Sequence, residues 1–155
     1  MKLRDLNRSN CQYFPPEEFR RRQWRRGLPL SLVGCLVYAF LRIIGKKPKD
    51  FHGICPYFEI GKNWGGFAMG WFFVCARGSS ERLKAHEVGH GLANANVGGF
   101  RVLACSFGSM VRYWWREIAK PKTEYDSWWF EKQATEIGQE YVIQVIEEEQ
   151  RKKPV

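Results

Sequence analysis

Residues 86–90 read His86-Glu87-Val88-Gly89-His90, a stretch whose residue types and spacing are enough for chemistry. On a helix, a separation of four is about one turn, so both imidazoles leave the same face and can share a metal ion. Glu87 follows His86 directly. It would stand beside such an ion without being obliged to bind it, placed to take a proton from a water on the metal. Two of the chain's 3 histidines lie in this stretch, so the residues that could bind a metal are concentrated there.

A catalytic zinc usually has three protein ligands and one open position. The third ligand must come from elsewhere in the chain. A histidine ten residues after His86 would serve, but that position is Asn96. His52, the remaining histidine, sits in a Lys/Pro-rich stretch ahead of the predicted strands. A carboxylate on the C-terminal helix is the better source. Glu131 stands one turn before Ala134 and Thr135, and small Ala134 and Gly138 would let that flank of the helix approach another closely. Glu136, Glu140, Glu124 and Asp126 are the alternatives, each also readable as a solvated charge. For a donor to a developing oxyanion, Tyr125, Tyr113 and Arg112 are candidates, and none stands out.

The elements around the motif follow from local signals. Ser80 is a natural N-cap with Glu81 in the first turn, and Asn94, Asn96, Gly98 and Gly99 are stop signals, which predicts a helix over 81–95. Residues 54–62 and 64–75 read as strands joined by a hairpin turn at Gly61-Lys62-Asn63, with Gly45 to Gly53 as a linker before them. Residues 100–113 read as short strands or as a loop plus a helix. Pro121 to Asp126 is a loop. Asp126 or Ser127 caps a final helix over roughly 127–150, where Phe130, Ala134, Ile137, Tyr141 and Val145 recur at helical spacing. The expected class is α+β: the 81–95 helix against a small antiparallel sheet, a second long C-terminal helix, and an apolar helix before them.

Length and charge bound the function. The 155 residues suffice for one domain, and 45% hydrophobic against 26% charged residues excludes wholesale disorder. The net charge of +9 is unevenly spread: residues 1–50 hold 12 of the 25 basic and 4 of the 16 acidic residues, whereas 51–155 hold 13 and 12. The basic surplus is therefore N-terminal, which argues against a folded nucleic-acid-binding body. The chain divides into a basic segment 1–27, an apolar segment 28–44 and a remainder 45–155. Segment 28–44 (LPLSLVGCLVYAFLRII) has basic flanks on both sides and about the minimum length for a bilayer. It reads as a membrane span or in-plane anchor, with a buried core helix as the alternative. The 5 cysteines are widely spaced with no CxxC pair, which argues for reduced, buried thiols and a cytosolic or cytosol-facing location.

These elements together resemble the HExxH zincin metallopeptidases of the gluzincin kind, and more closely a group of small bacterial proteins with a hydrophobic N-terminal segment. The resemblance rests on the apolar segment ending in Gly-Lys-Lys-Pro, the strand NWGGFAMGWFFV, HEVGHGLAN and WWFEKQATEIG, over roughly residues 28–140. FEKQATEIG resembles an ExxAD element, whose Glu is the third zinc ligand. The resemblance implies Zn2+ held by His86, His90 and Glu131, with Glu87 as general base in peptide-bond hydrolysis. The chain departs from the pattern at Thr135, where the family has an Asp that orients a zinc-bound histidine. A hydroxyl accepts the same hydrogen bond but supports the imidazole less well. The resemblance also implies that the strand Trp64 to Val74 pairs with an extended peptide substrate, its alternative being an ordinary core strand.

Three functional readings stand at this point. The first is a membrane-associated zinc metalloendopeptidase, its catalytic domain facing the cytoplasm, with a soluble cytoplasmic enzyme as the variant. The second is a zincin-like metal-binding protein without peptidase activity. The third is a basic adaptor that binds an anionic membrane or nucleic acid through residues 1–50, motivated by the Arg20–Arg26 run with Trp24.

Overall fold

Pro15 in the extended conformation, Pro16 at the first helical position and Glu17-Glu18 in the first turn start a helix, α1 (Pro16–Arg25), which ends in basic residues that suit its negative pole. The computed structural model describes residues 14–119 and 129–152. Along the chain it continues with α2 (Leu28–Ile43), β1 (Lys49–Phe51), β2 (Cys55–Glu59), β3 (Gly66–Ala68), β4 (Phe73–Cys75), α3 (Glu81–Val97), α4 (Gly99–Ala119) and α5 (Trp129–Lys152). The class is α+β, with five helices and one small sheet among the described residues.

The motif lies on α3, as its caps predict. Ser80 Oγ accepts the Leu83 N–H at 3.2 Å, and the helix stops at Gly98, whose φ of 102° favours glycine. α3 is the central element and touches α1, β3, β4, α4 and α5. Its most extensive contact is with α5, and glycine makes that contact possible. A methyl group at Gly89 would overlap the Ala134 carbonyl, and one at Gly138 would overlap the Ala85 carbonyl and lie 2.9 Å from the Gly89 nitrogen. The two helices thus meet backbone to backbone. Val88, Leu92, Ile137, Tyr141 and Val145 seal the crossing and join Phe19, Ile54 and Phe73 in the main core.

The sheet differs from the expected antiparallel hairpin. Its order is β1-β2-β4-β3, with β1/β2 and β3/β4 antiparallel but β2/β4 parallel. The physical reason is burial. Phe73, Val74 and Cys75 are all buried and take a central position, while Gly66-Phe67-Ala68, with Phe67 exposed, takes the edge. The hairpin turn therefore falls at Met69–Phe72, where Gly70 has φ +77° and Met69 N–H donates to the Phe72 carbonyl at 2.8 Å, and not at Gly61-Lys62-Asn63. The stretch read as a linker contains β1, paired with β2 through Lys49–Tyr57 and Phe51–Cys55. Residues 100–113, read as short strands or a loop plus a helix, are part of the single helix α4.

The N-terminal helices pack on this frame through groups that look solvated in the sequence. Gln23, inside the arginine run, is fully buried: its Nε2 donates to the Gly91 carbonyl at 2.8 Å, and its Oε1 accepts from Asn94 Nδ2. Ser31 Oγ of α2 donates to the Gln23 carbonyl at 3.1 Å. α2 buries Leu30, Ser31, Gly34 and Leu41 and leaves the opposite face exposed. No single helix among the described residues is long and apolar enough to cross a membrane.

Candidate metal centre

α3 presents His86 and His90 one turn apart, their rings 4.6 Å apart, and α5 brings Glu131 to both. Glu131 reaches them because Gly89 and Gly138 remove the side chains that would hold the helices apart. Its Oε2 lies 3.2 Å from His86 Nε2 and 3.4 Å from His90 Nε2, and the two Nε2 atoms are 3.1 Å apart. Tetrahedral coordination with bonds of about 2.0–2.1 Å puts ligand atoms about 3.3–3.4 Å from one another. The three donor atoms therefore already form the face of a tetrahedron of zinc's size. Nitrogen, nitrogen and carboxylate oxygen is also a donor set that suits zinc. Among the described residues, these three form the one group so arranged.

Thr135 fixes the tautomer of His86. Its hydroxyl donates to the Glu131 carbonyl one turn back at 3.2 Å, which leaves its oxygen to accept from His86 Nδ1 at 2.8 Å. With the proton on Nδ1, the His86 Nε2 lone pair points at the shared position. His90 has no such support. Its Nδ1 is buried with no hydrogen-bond partner, and its ring lies 5.1 Å from that of Phe130. Burial opposes the charged form of His90, but the hydrogen bond it donates to Glu131 and the nearby Glu131 and Glu87 carboxylates raise its pKa overall.

Glu87 lies on the sheet side of α3. It is 4% exposed, and its Oε2 has no hydrogen-bond partner. Burial raises its pKa above the ordinary carboxylate value; the neighbouring His90 and His86 and the Ala68 N–H pull the other way. The upward direction is the one that suits a carboxylate that takes up a proton and later gives it back. A methyl group at Gly66 would stand 2.5 Å from Glu87 Oε1, so the edge strand passes directly against this carboxylate. On its outer side β3 pairs with no strand of the described residues.

The remaining sequence candidates lie elsewhere. His52 pairs with Glu81 at 3.2 Å, at the first residue of α3 and away from His86 and His90 in its middle. Glu136 faces Lys132 along α5, and Glu140 is exposed. Glu124, Asp126 and Tyr125 lie outside the described residues, as do the side chains of Arg112 and Tyr113. Sequence reasoning did not anticipate the closeness of Gly66 to Glu87. Glycines inside a strand, here Gly65, Gly66 and Gly70, are a general sign of a bulge or a close backbone approach, but they do not name the partner. No protein-family model, no curated protein and no solved structure matches this chain.

Proposed function

We propose that the chain is a zincin-like metallopeptidase that hydrolyses peptide bonds, with zinc held by His86, His90 and Glu131. The observation that carries this reading is the donor triangle of 3.1, 3.2 and 3.4 Å, set beside a buried carboxylate with a free oxygen. A zinc ion so held supplies Lewis acidity, which lowers the pKa of a water and polarises a carbonyl oxygen. Glu87 takes the proton of the attacking water on its unpartnered Oε2, holds it in a site where burial favours the protonated form, and delivers it to the leaving amide nitrogen. The open side of β3 offers main-chain donors and acceptors to an extended peptide, which would bring the scissile bond past Glu87. Thr135 keeps His86 in the tautomer that ligation needs.

Elemental analysis of the purified chain and of His86→Ala, His90→Ala and Glu131→Ala tests the centre. About one zinc per chain is expected in the wild type, sharply reduced in all three variants. A metal-replete wild type without zinc would overturn the reading. Glu87→Gln then tests the chemistry: metal-dependent peptide hydrolysis should vanish while zinc stays bound. The second reading, a metal-binding protein without peptidase activity, is favoured by one observation: a neutral Thr135 stands where a carboxylate would support His86 more strongly. Zinc binding by the wild type with no hydrolysis of a broad set of peptides would select it.

A further inference from the structure

Two neighbouring helices turn apolar faces outward. α2 packs inward through Leu30, Ser31, Gly34 and Leu41 and exposes Leu28, Leu32, Leu36, Phe40 and Ile43, a stripe at helical spacing. α4 packs inward through Val102 and exposes Phe100, Phe107, Val111, Trp115 and Ile118 on the opposite face. Leu30 and Val102 share one buried cluster, and Gly99 at the start of α4 sits against Pro29 and Gly27 at the start of α2. The two helices therefore meet along a common seam. Apolar surface of this extent on a folded chain marks an interaction site.

The charges around it identify the occupant. No Asp or Glu occurs from Phe19 to Lys49 or from Val88 to Arg116. Arg25 and Arg26 are exposed before α2, Arg42 and Lys47 at its end, and Arg101 on α4. Trp24 and Trp115 are exposed with them, and tryptophan favours the headgroup boundary. A second copy of the chain applied to this face would set cations against cations. Anionic headgroups complement them.

We propose that α2 and α4 together form a platform that lies in the interface of an anionic bilayer. The 16 residues of α2 extend only about 24 Å, less than the roughly 30 Å hydrocarbon core, and the face with Leu30, Ser31, Gly34 and Leu41 is committed to the protein interior. It lies on the membrane as an amphipathic helix, with α4 beside it. The platform carries the metal centre close to the surface: α4 follows α3 directly, and Phe130, beside His90, belongs to the cluster of Leu30 and Val102. The docking itself does not depend on the peptidase reading.

The test is flotation of the full-length chain with vesicles of phosphatidylcholine alone and of phosphatidylcholine mixed with phosphatidylglycerol. Binding to the mixed vesicles is expected to be at least about 10-fold stronger and to weaken as salt is raised. Arg42→Gln with Lys47→Gln, both at exposed positions, should weaken it about five-fold per residue. Leu36→Glu with Phe107→Glu should weaken it about 10-fold or more per residue, with far-UV circular dichroism and melting unchanged. No binding to either vesicle overturns the proposal, as does undiminished binding by a folded Leu36→Glu/Phe107→Glu chain. A dimer that this variant dissociates, in a wild type indifferent to vesicles, assigns the face to a second copy and also overturns it. Should that variant not fold, quenching of wild-type tryptophan fluorescence by brominated lipid decides: quenching supports the platform, and its absence refutes it.

Discussion

Gly138→Ala separates helix propensity from the α3/α5 contact, because the two predict opposite signs. In an isolated helix the substitution stabilises by about 1 kcal/mol. Here the new methyl would overlap the Ala85 carbonyl oxygen, and α5 must move away by about 1 Å to restore van der Waals contact. Overpacking of this kind costs about 1–3 kcal/mol or more. The expected net effect is a loss of up to about 2 kcal/mol, a fall in Tm of up to roughly 8 °C for a chain of this length. Gly138 is seven residues from Glu131, two turns on the same face, so the displacement reaches the ligand. Glu131 Oε2, now 3.2 and 3.4 Å from the two imidazole nitrogens, would move beyond a tetrahedral edge. Zinc affinity should fall roughly 10–100-fold, the scale seen when groups that aim metal ligands are lost. Competition against a chromophoric chelator gives the affinity, and calorimetry the Tm. Glu140→Ala, at an exposed position of the same helix, is the control and should change neither. A higher Tm with wild-type zinc affinity would refute the reasoning, because it would mean that the close crossing does not constrain the centre.

Three further outcomes follow from single contacts. Thr135→Val should lower zinc affinity about 10–100-fold and Thr135→Asp should raise it, read by the same competition, because both act through the bond to His86 Nδ1. Gln23→Leu leaves the Gly91 carbonyl and the Asn94 amide unpaired and buried; it should cost about 3 kcal/mol and roughly 6–12 °C of Tm, whereas Gln→Leu at a solvated site would cost almost nothing. The Glu18 carboxyl is held below its usual 4.5 by the Arg22 hydrogen bond, with smaller contributions from Arg21 and Arg25. Because its folded pKa is depressed, this stabilisation is present above the unfolded value and is lost as pH falls through the folded one. Glu18→Gln should therefore flatten the acid limb of the Tm–pH curve below about pH 4.5, and an unchanged slope would count against the assignment.

The site was legible in the sequence where it depends on local order. His86, Glu87 and His90 are set by one helical turn, and that turn by the Ser80 cap and the Gly98 stop, all within a few residues of one another. Helical spacing of Phe130, Ile137, Tyr141 and Val145 likewise gives α5 its inner face, and Glu131 falls on the flank with Ala134 and Gly138. The apolar residues of α4 were visible too, but their period was not resolved between short strands and a loop plus a helix.

Local order could not decide which neighbours the chain would choose. That Phe73-Val74-Cys75 takes the centre of the sheet, between β2 and β3, depends on what covers its two faces: α2 on one side and α3 and α5 on the other. Gln23 reads as one more solvated residue in an arginine run until Gly91 and Asn94 arrive from a distant helix to satisfy its amide. Gly66 in its strand and Gly138 on the flank of α5 announced close approach without naming what approaches, and Gly89 gave no such sign. A sequence specifies backbone spacing and side-chain period residue by residue, so it determined the placing of His86, Glu87 and His90 and the helices that carry these and Glu131. The meeting of Glu131 with those histidines, the edge strand against Glu87 and the outward apolar face of α2 and α4 arise from burial shared among segments far apart in the chain, and only the tertiary structure decides that.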